Sequence, residues 1–143
     1  MSMFERSPSP WTDRMLSILR IVAGLVFFIT GTMKLFGFPP MPAQLPTMPP
    51  VPMWEIHLAG ILEVYLGAAF TFGFLTRPIA FVLAGEMAVA YFQGSFPLSF
   101  WPTANWGVSA ILYCFIFLYF MLAGAGPWSV DALIAGRRVR RID

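Results

Sequence analysis

Residues 54–97 read WEIHLAGILEVYLGAAFTFGFLTRPIAFVLAGEMAVAYFQGSFP, two apolar stretches separated by a short turn at Arg77-Pro78. Each stretch holds about 20 mostly apolar residues, the length that an α-helix needs to cross the ~30 Å hydrocarbon core of a bilayer. Proline fits the first turn of a helix and fits poorly inside one, so a new helix is expected to begin at this step. The sequence therefore predicts a hairpin of two transmembrane helices, at 54–75 and 78–97.

Two further apolar stretches, one on each side of this hairpin, extend the pattern. They lie at 15–36 and 105–125, and both are long enough to span a bilayer. The composition agrees, because 58% of the residues are hydrophobic, only 11% are charged and the mean hydropathy is +0.73. We predict a single domain over 1–143, an all-α membrane protein that forms an antiparallel bundle of four transmembrane helices.

Basic residues predict the orientation, because lysines and arginines that flank short loops stay on the cytoplasmic side. They concentrate before the first stretch, at the turn of the hairpin and in the tail 127–143: Arg6, Arg14, Arg20, Arg77, Arg137, Arg138, Arg140 and Arg141. Both termini are therefore predicted to be cytoplasmic, in a bacterial inner membrane. Ser129 can cap a short helix in the tail, which we expect to lie at the lipid interface. The proline-rich loop at 39–53 is expected to be an extended cover or docking surface.

The composition also excludes several kinds of function. A net charge of +2, carried at the ends of the stretches, forms no face that could follow phosphates, so nucleic acid is not an expected partner. Cys114 is the single cysteine, which excludes an intramolecular disulfide and a cysteine-held cluster. His57 is the single histidine, which excludes a bis-histidine haem within one chain, and no metal site is predicted. Any redox chemistry must use a bound cofactor or a partner protein.

Charged residues deep in the apolar stretches are the candidates for chemistry, because an ionised group inside a membrane is costly unless it is paired or hydrated. From distances along the helices, one polar cluster of Arg20, Glu63 and Glu86 is feasible in the inner half of the bundle. The sequence leaves open whether Arg20 meets Glu63, Glu86 or neither, because span lengths do not contain the order of the helices. Gly60 and Gly67 share a helix face with Glu63, which favours close packing of that face on a neighbouring helix. The cluster is either a proton-exchanging or quinol-headgroup site, or an ion-pair knot that fixes helix register.

Three further residues are candidates for contact with a cofactor. His57 can donate a proton or form an interfacial hydrogen bond, and Lys34 near the end of its stretch can reach toward the headgroups. Tyr91 can line a quinone pocket, although aromatic residues in a membrane span are also common in the core and on lipid-facing surfaces. Quinone is thus the cofactor that these residues would suit.

Five stretches carry a family resemblance: LRIVAGLVF (19–27), GTMKLFGFPP (31–40), GILEVYLGAAFTFGFLTRPIAF (60–81), GEMAVAYF (85–92) and NWGVSAILYCFIFLYFMLAGAGPWSVDAL (105–133). Together they resemble the DoxX family of small four-helix bacterial membrane proteins, over nearly the whole chain. The resemblance implies an inner-membrane protein associated with redox or respiratory metabolism. Some members look like quinone-reducing subunits that act on thiosulfate, and others look like membrane anchors for redox or detoxifying proteins.

Three positions depart from the family pattern. The family usually has a histidine where this chain has Thr30, often has another near Ser95, and often has an acid where this chain has Val108. These losses favour an accessory or structural subunit of a larger membrane complex over a quinone-linked oxidoreductase subunit. The lipid bilayer is an expected partner. The sequence leaves open whether the chain is an enzyme, which protein of a redox or respiratory membrane complex it binds, and whether it self-associates.

Overall fold

The computed structural model of the protein describes residues 9–41 and 49–139, and all regular secondary structure in these ranges is helical. It contains five α-helices and no β-strand: α1 (Pro10–Phe36), α2 (Met53–Phe72), α3 (Thr76–Ala90), α4 (Val108–Ala123) and α5 (Val130–Val139). A π-helical segment, Tyr91–Ser95, continues α3. The predicted all-α class is confirmed. Much of the proline-rich loop and both ends of the chain lie outside the described residues, so the predictions made for them stay predictions.

α1 is longer than the stretch predicted at 15–36, because capping residues precede that stretch. The hydroxyl of Ser9 accepts a hydrogen bond from the N–H of Trp11 at 3.3 Å. Pro10 occupies the first turn, where its missing N–H costs nothing. At the other end Gly37 adopts the left-handed conformation with φ 66°, and its N–H donates back to the last turn, which ends the helix.

α1 and α2 pack antiparallel through small residues. A Cβ atom at Gly24 would come within 2.9 Å of the backbone nitrogen of Thr71. A Cβ atom at Gly31 would lie 2.8 Å from the Cβ atom of Glu63. Glycines at these positions let the two backbones approach closely. The face of α2 that carries Glu63 therefore packs on a neighbouring helix, as predicted, and that helix is α1.

A tight turn joins α2 to α3 where the sequence predicts one. α2 ends at Phe72, earlier than predicted, because Gly73 adopts the left-handed conformation with φ 71°. α3 begins at Thr76, slightly before the predicted start, and Pro78 lies in its first turn. The predicted turn between two helices at the Arg77-Pro78 step is thus confirmed, with small corrections to both boundaries, and the membrane crossing of both helices stays a prediction.

The last long helix begins later than the predicted position 105, because a polar loop occupies the first residues of that stretch. The amide Nδ2 of the buried Asn105 donates to the carbonyl oxygen of Ser99, and its Oδ1 accepts from the N–H of Gly107, both at 2.8 Å. Asparagine side chains favour such local bonds over a continuing helix. Trp106 has φ 61°, outside the helical region. α4 therefore begins at Val108.

Helices α1 to α4 contribute to one apolar core. The ring of Phe70 lies edge-on to the rings of Phe117 and Phe120, with centroids 5.2 Å apart in each pair. Phe27 lies 5.0 Å from Phe117, and α3 adds Leu83 to the same cluster. α1 packs chiefly along α2, and α3 packs chiefly along α4. The core thus joins two helix pairs through aromatic rings.

The outward faces of the helices are apolar as well. On α4, for example, Leu112, Phe115 and Leu122 are 58%, 67% and 71% exposed. Helices that are apolar on all sides are typical of proteins whose surfaces are covered by lipid or by another chain. α1 and α2 are long and apolar enough to cross a membrane, and α4 is a shorter apolar helix.

α5 begins at the predicted tail cap. The hydroxyl of Ser129 accepts a hydrogen bond from the N–H of Ala132 at 3.1 Å and donates one to the carbonyl oxygen of Gly126 at 2.7 Å. Gly126 has φ 77°, so it breaks the chain direction between α4 and α5. The Ser129 cap is confirmed, and the position of α5 relative to lipid stays a prediction.

Candidate functional site

The charged residues of the apolar helices form two separate sites, one near each end of α1. Nζ of Lys34 lies 2.6 Å from Oε1 of Glu63 and forms a salt bridge with it. Arg20 lies near the other end of α1 and forms no salt bridge with Glu63 or Glu86. The feasible cluster of Arg20, Glu63 and Glu86 therefore does not form, and of the alternatives left open Arg20 meets neither carboxyl group. Lys34 takes the place of the arginine beside the carboxyl groups.

The antiparallel register of α1 and α2 explains this arrangement. A Cβ atom at Gly60 would lie 3.2 Å from the Cβ atom of Lys34, so these two positions face each other. Glu63 lies about one turn further along α2, within reach of the lysine side chain. Arg20 lies about four turns before Lys34 on α1, roughly 20 Å away along the helix axis, where it faces Gly73 instead.

Glu63 is almost completely shielded from solvent. It is 2% exposed, whereas the side chain of Lys34 is 29% exposed and leads from the carboxylate toward the end of α1. Oε2 of Glu63 has no hydrogen-bond partner in the part of the protein that is described. The hydroxyl of Thr30 lies close to this carboxyl group and donates to the carbonyl oxygen of Phe27 at 2.7 Å. A buried carboxylate with a free oxygen can accept a hydrogen bond from a ligand or bind a proton.

Glu86 brings a second carboxyl group to the same region from α3. It lies within electrostatic range of Glu63 and Lys34, and neither of its oxygens has a hydrogen-bond partner among the described residues. We refer to Lys34, Glu63 and Glu86 as the carboxyl site. The site contains one ammonium group and two carboxyl groups, so one additional proton makes it electrically neutral. This composition suits proton uptake and release, and the binding of a ligand with hydrogen-bonding oxygens.

Arg20 belongs to a separate structural site at the opposite end of α1. Its side chain is completely buried, Nη2 donates to the carbonyl oxygen of Trp128 at 2.6 Å, and the guanidinium lies against Gly73. Asp131 provides a negative charge nearby. The hydroxyl of Ser17, one turn earlier on α1, accepts from the N–H of Trp128 at 3.2 Å. Arg20 thus links α1 to the α2–α3 turn and to the segment before α5.

The other two cofactor candidates do not join the carboxyl site. His57 is exposed near the start of α2, and its Nδ1 lies 2.8 Å from the carbonyl oxygen of Met53. This bond lies within the first turn of α2, and an interfacial role of His57 stays a prediction. Tyr91 packs against Gly107 and against the rings of Phe92 and Phe96. Its contacts are therefore those of a packing residue.

Asp131 is a capping residue that the sequence analysis missed. Its two carboxylate oxygens accept hydrogen bonds from the N–H groups of Leu75 and Thr76, each at 2.9 Å. The carboxylate therefore caps the first turn of α3 from a distant part of the chain. The available signal was an acid placed two residues after the Ser129 cap, which by itself indicates only a favourable charge in the first turn of α5.

Comparison with known proteins places these observations in a family context. A family model described as DoxX matches residues 15–95, which include Lys34, Glu63 and Glu86. An uncharacterized protein of Haemophilus influenzae is 38% identical to this chain over 120 residues, which cover 81% of this chain and 87% of that protein. No solved structure shows a significant match.

Proposed function

Because the chain belongs to the DoxX family, we propose that it is a four-span inner-membrane protein of redox or respiratory metabolism. In this proposal the carboxyl site binds the headgroup of a quinone and exchanges protons with it. One observation carries the proposal: a buried ion pair between Lys34 and Glu63 lies beside a second carboxyl group, and three carboxyl oxygens of the site have no hydrogen-bond partner within residues 9–41 and 49–139.

The lengths and surfaces of the helices support four membrane spans. α3 has 15 residues and its π-helical continuation has five, which together reach the length of about 20 residues that a span requires. α4 is shorter, at 16 residues, and is the most apolar of the helices. Trp54, Trp101 and Trp106 are all more than 60% exposed, and exposed tryptophans near helix ends are typical of the aromatic belts of membrane proteins. The arginines near the opposite ends of the helices support cytoplasmic termini.

The chemistry of the carboxyl site suits a quinone. Quinone carbonyl oxygens accept hydrogen bonds, and the ammonium group of Lys34 has three N–H donors, of which one points to Glu63. Reduction of a quinone to a quinol takes two electrons and two protons. Glu63 and Glu86 can deliver protons to the reduced oxygens and recover them from water. The electrons would come from a partner protein, because one cysteine and one histidine supply no redox centre of the chain's own.

The proposal is tested by gentle purification from native membranes, followed by mass spectrometry of bound quinone and of co-purifying proteins. We expect about one quinone per chain in the parent protein. Glu63→Gln and Glu86→Gln should lose the quinone, whereas Glu55→Gln, in the first turn of α2, should retain it. Parent protein without quinone, or equal retention by all three variants, would contradict quinone binding at the carboxyl site.

A second function, as an accessory subunit of a larger membrane complex, is favoured by a run of exposed aromatic residues. Phe92, Phe96, Phe100 and Trp101 contact one another in sequence, with centroids 5.4–6.3 Å apart, and all four are exposed. Exposed aromatic clusters of this kind can anchor a protein interface. A stoichiometric partner protein, together with no bound quinone and tolerance of Glu63→Gln, would favour this function.

A further inference from the structure

An open groove lies at the end of the protein opposite the carboxyl site. It has a volume of about 450 Å³ and is formed by the first turn of α3, the end of α4 and the start of α5. Most of its lining is apolar, including Leu75, Pro78 and Ala123. Arg77 is exposed and also lines this groove. The groove thus combines an apolar wall with a cationic group.

Most polar groups of the groove are already occupied within the protein. Both oxygens of Asp131 accept hydrogen bonds from backbone N–H groups at the start of α3, and Asp131 also lies near the buried Arg20. The hydroxyl of Ser129 donates to one backbone oxygen and accepts from one N–H. The negative charge of Asp131 is thus offset by a nearby cation and by the two hydrogen bonds that it accepts from N–H groups. These contacts leave little capacity in Asp131 or Ser129 for a ligand.

One group of the groove remains available. Arg77 forms no salt bridge within the described ranges, and its guanidinium lies over Gly124, 3.6 Å from the position of a Cβ atom there. Thr76 also lines the groove, and because its side chain is completely buried it offers no surface to a ligand. The guanidinium of an arginine is a donor that suits phosphate oxygens.

We propose that this groove binds the phosphate group of an anionic phospholipid, with an acyl chain along the apolar wall. Arg77 would pair with the phosphate. Basic pockets between transmembrane helices on the cytoplasmic side are known to hold anionic headgroups. The inference rests on the proposed membrane arrangement and does not depend on quinone binding. Free phosphate has the same headgroup chemistry and lacks the acyl chain, so the two sources can be separated by experiment.

The test is native mass spectrometry of the full chain in detergent with equal amounts of phosphatidylglycerol and phosphatidylcholine. The parent should retain phosphatidylglycerol preferentially, and Arg77→Gln should bind it about fivefold more weakly, the share that one arginine contributes at a membrane surface. Arg14→Gln is the matched control, since it removes an exposed arginine that lies near the start of α1 and does not line the groove. It should bind phosphatidylglycerol like the parent.

Further measurements separate folding and ligand source from lipid recognition. Melting temperatures of all variants show whether Arg77→Gln is folded, and Arg77→Met, which also removes the cation, is the second variant if it is not. An excess of inorganic phosphate should leave lipid retention unchanged. Equal losses in Arg77→Gln and Arg14→Gln, no selectivity in the parent, or displacement by inorganic phosphate would overturn the proposed lipid site. None of these readouts involves Glu63 or Glu86, so they are independent of the quinone proposal.

Discussion

The ammonium group of Lys34 lies 2.6 Å from Oε1 of Glu63, so that an ion pair joins α1 to α2 inside an apolar assembly of helices. The carboxylate is 2% exposed, and its second oxygen has no partner in the described part of the chain. Burial of such a pair brings a desolvation cost that offsets much of its mutual attraction. The pair is therefore a weak source of stability, and in our proposal it serves ligand binding and proton exchange.

Removal of the lysine alone should be strongly destabilising. Lys34→Met leaves Glu63 buried without its cation, and breaking a buried pair in this way costs about 3–5 kcal/mol. The double variant Lys34→Met with Glu63→Leu removes both charges and should recover much of the loss. Unfolding in detergent of the parent, both single variants and the double variant measures the coupling. Additive effects of the two substitutions would show that the residues do not interact.

Close packing of α1 on α2 makes Gly24 intolerant of a side chain. A Cβ atom there would meet the Thr71 backbone nitrogen at 2.9 Å, and Gly24→Ala should cost about 1–3 kcal/mol through overpacking. Gly85→Ala is the control, since a Cβ atom at Gly85 has nothing within 4 Å and alanine is favoured in a helix by about 0.5–1 kcal/mol. Melting temperatures should move in opposite directions. A matching decrease in both variants would contradict the packing argument.

Asp131 should protect the start of α3. Asp131→Ala removes the acceptors for the N–H groups of Leu75 and Thr76, and loss of such a cap costs about 0.5–2 kcal/mol. Hydrogen exchange at these two amides should accelerate more than exchange in the middle of α3. Asp13→Ala, an exposed acid in the first turn of α1, should leave both amides unchanged. Unchanged exchange in Asp131→Ala would contradict the cap.

The proposed four spans predict which loops face the outside. In a Cys114→Ala background, a cysteine at Thr103, in the exposed loop before α4, should react with a membrane-impermeant maleimide in intact cells. A cysteine at Gly136, exposed on α5, should react only after the membrane is opened. Labelling of Gly136→Cys in intact cells would contradict cytoplasmic termini. Labelling of neither variant after opening would indicate that these positions are not exposed.

Helix positions and local caps could be predicted from the sequence because they depend on nearby residues. The apolar stretches and the Arg77-Pro78 step located α1, α2 and α3, and Ser129 located the start of α5. Asn105 shows the limit of this approach. Its side chain bonds to Ser99 six positions earlier and forms a loop where hydrophobicity alone predicts a helix.

The composition of the carboxyl site could be predicted only in part. Positions along the separate helices made a contact between Arg20 and Glu63 feasible. These positions do not contain the register between the helices. That register is set by contacts such as Gly31 against Glu63 and Gly60 against Lys34, which are long-range. Small residues on both helices indicate that a close approach exists. They do not indicate which residues meet.

The most direct test of the central claim is equilibrium binding of a short-chain quinone to the purified protein, measured by calorimetry for the parent, Glu63→Gln and Glu55→Gln. We predict one binding site per chain in the parent and in Glu55→Gln. Affinity should fall about tenfold or more in Glu63→Gln, as expected for loss of a charge-assisted hydrogen-bond network. A parent that binds no quinone, or a folded Glu63→Gln that binds it like the parent, would contradict a quinone site formed by Lys34, Glu63 and Glu86.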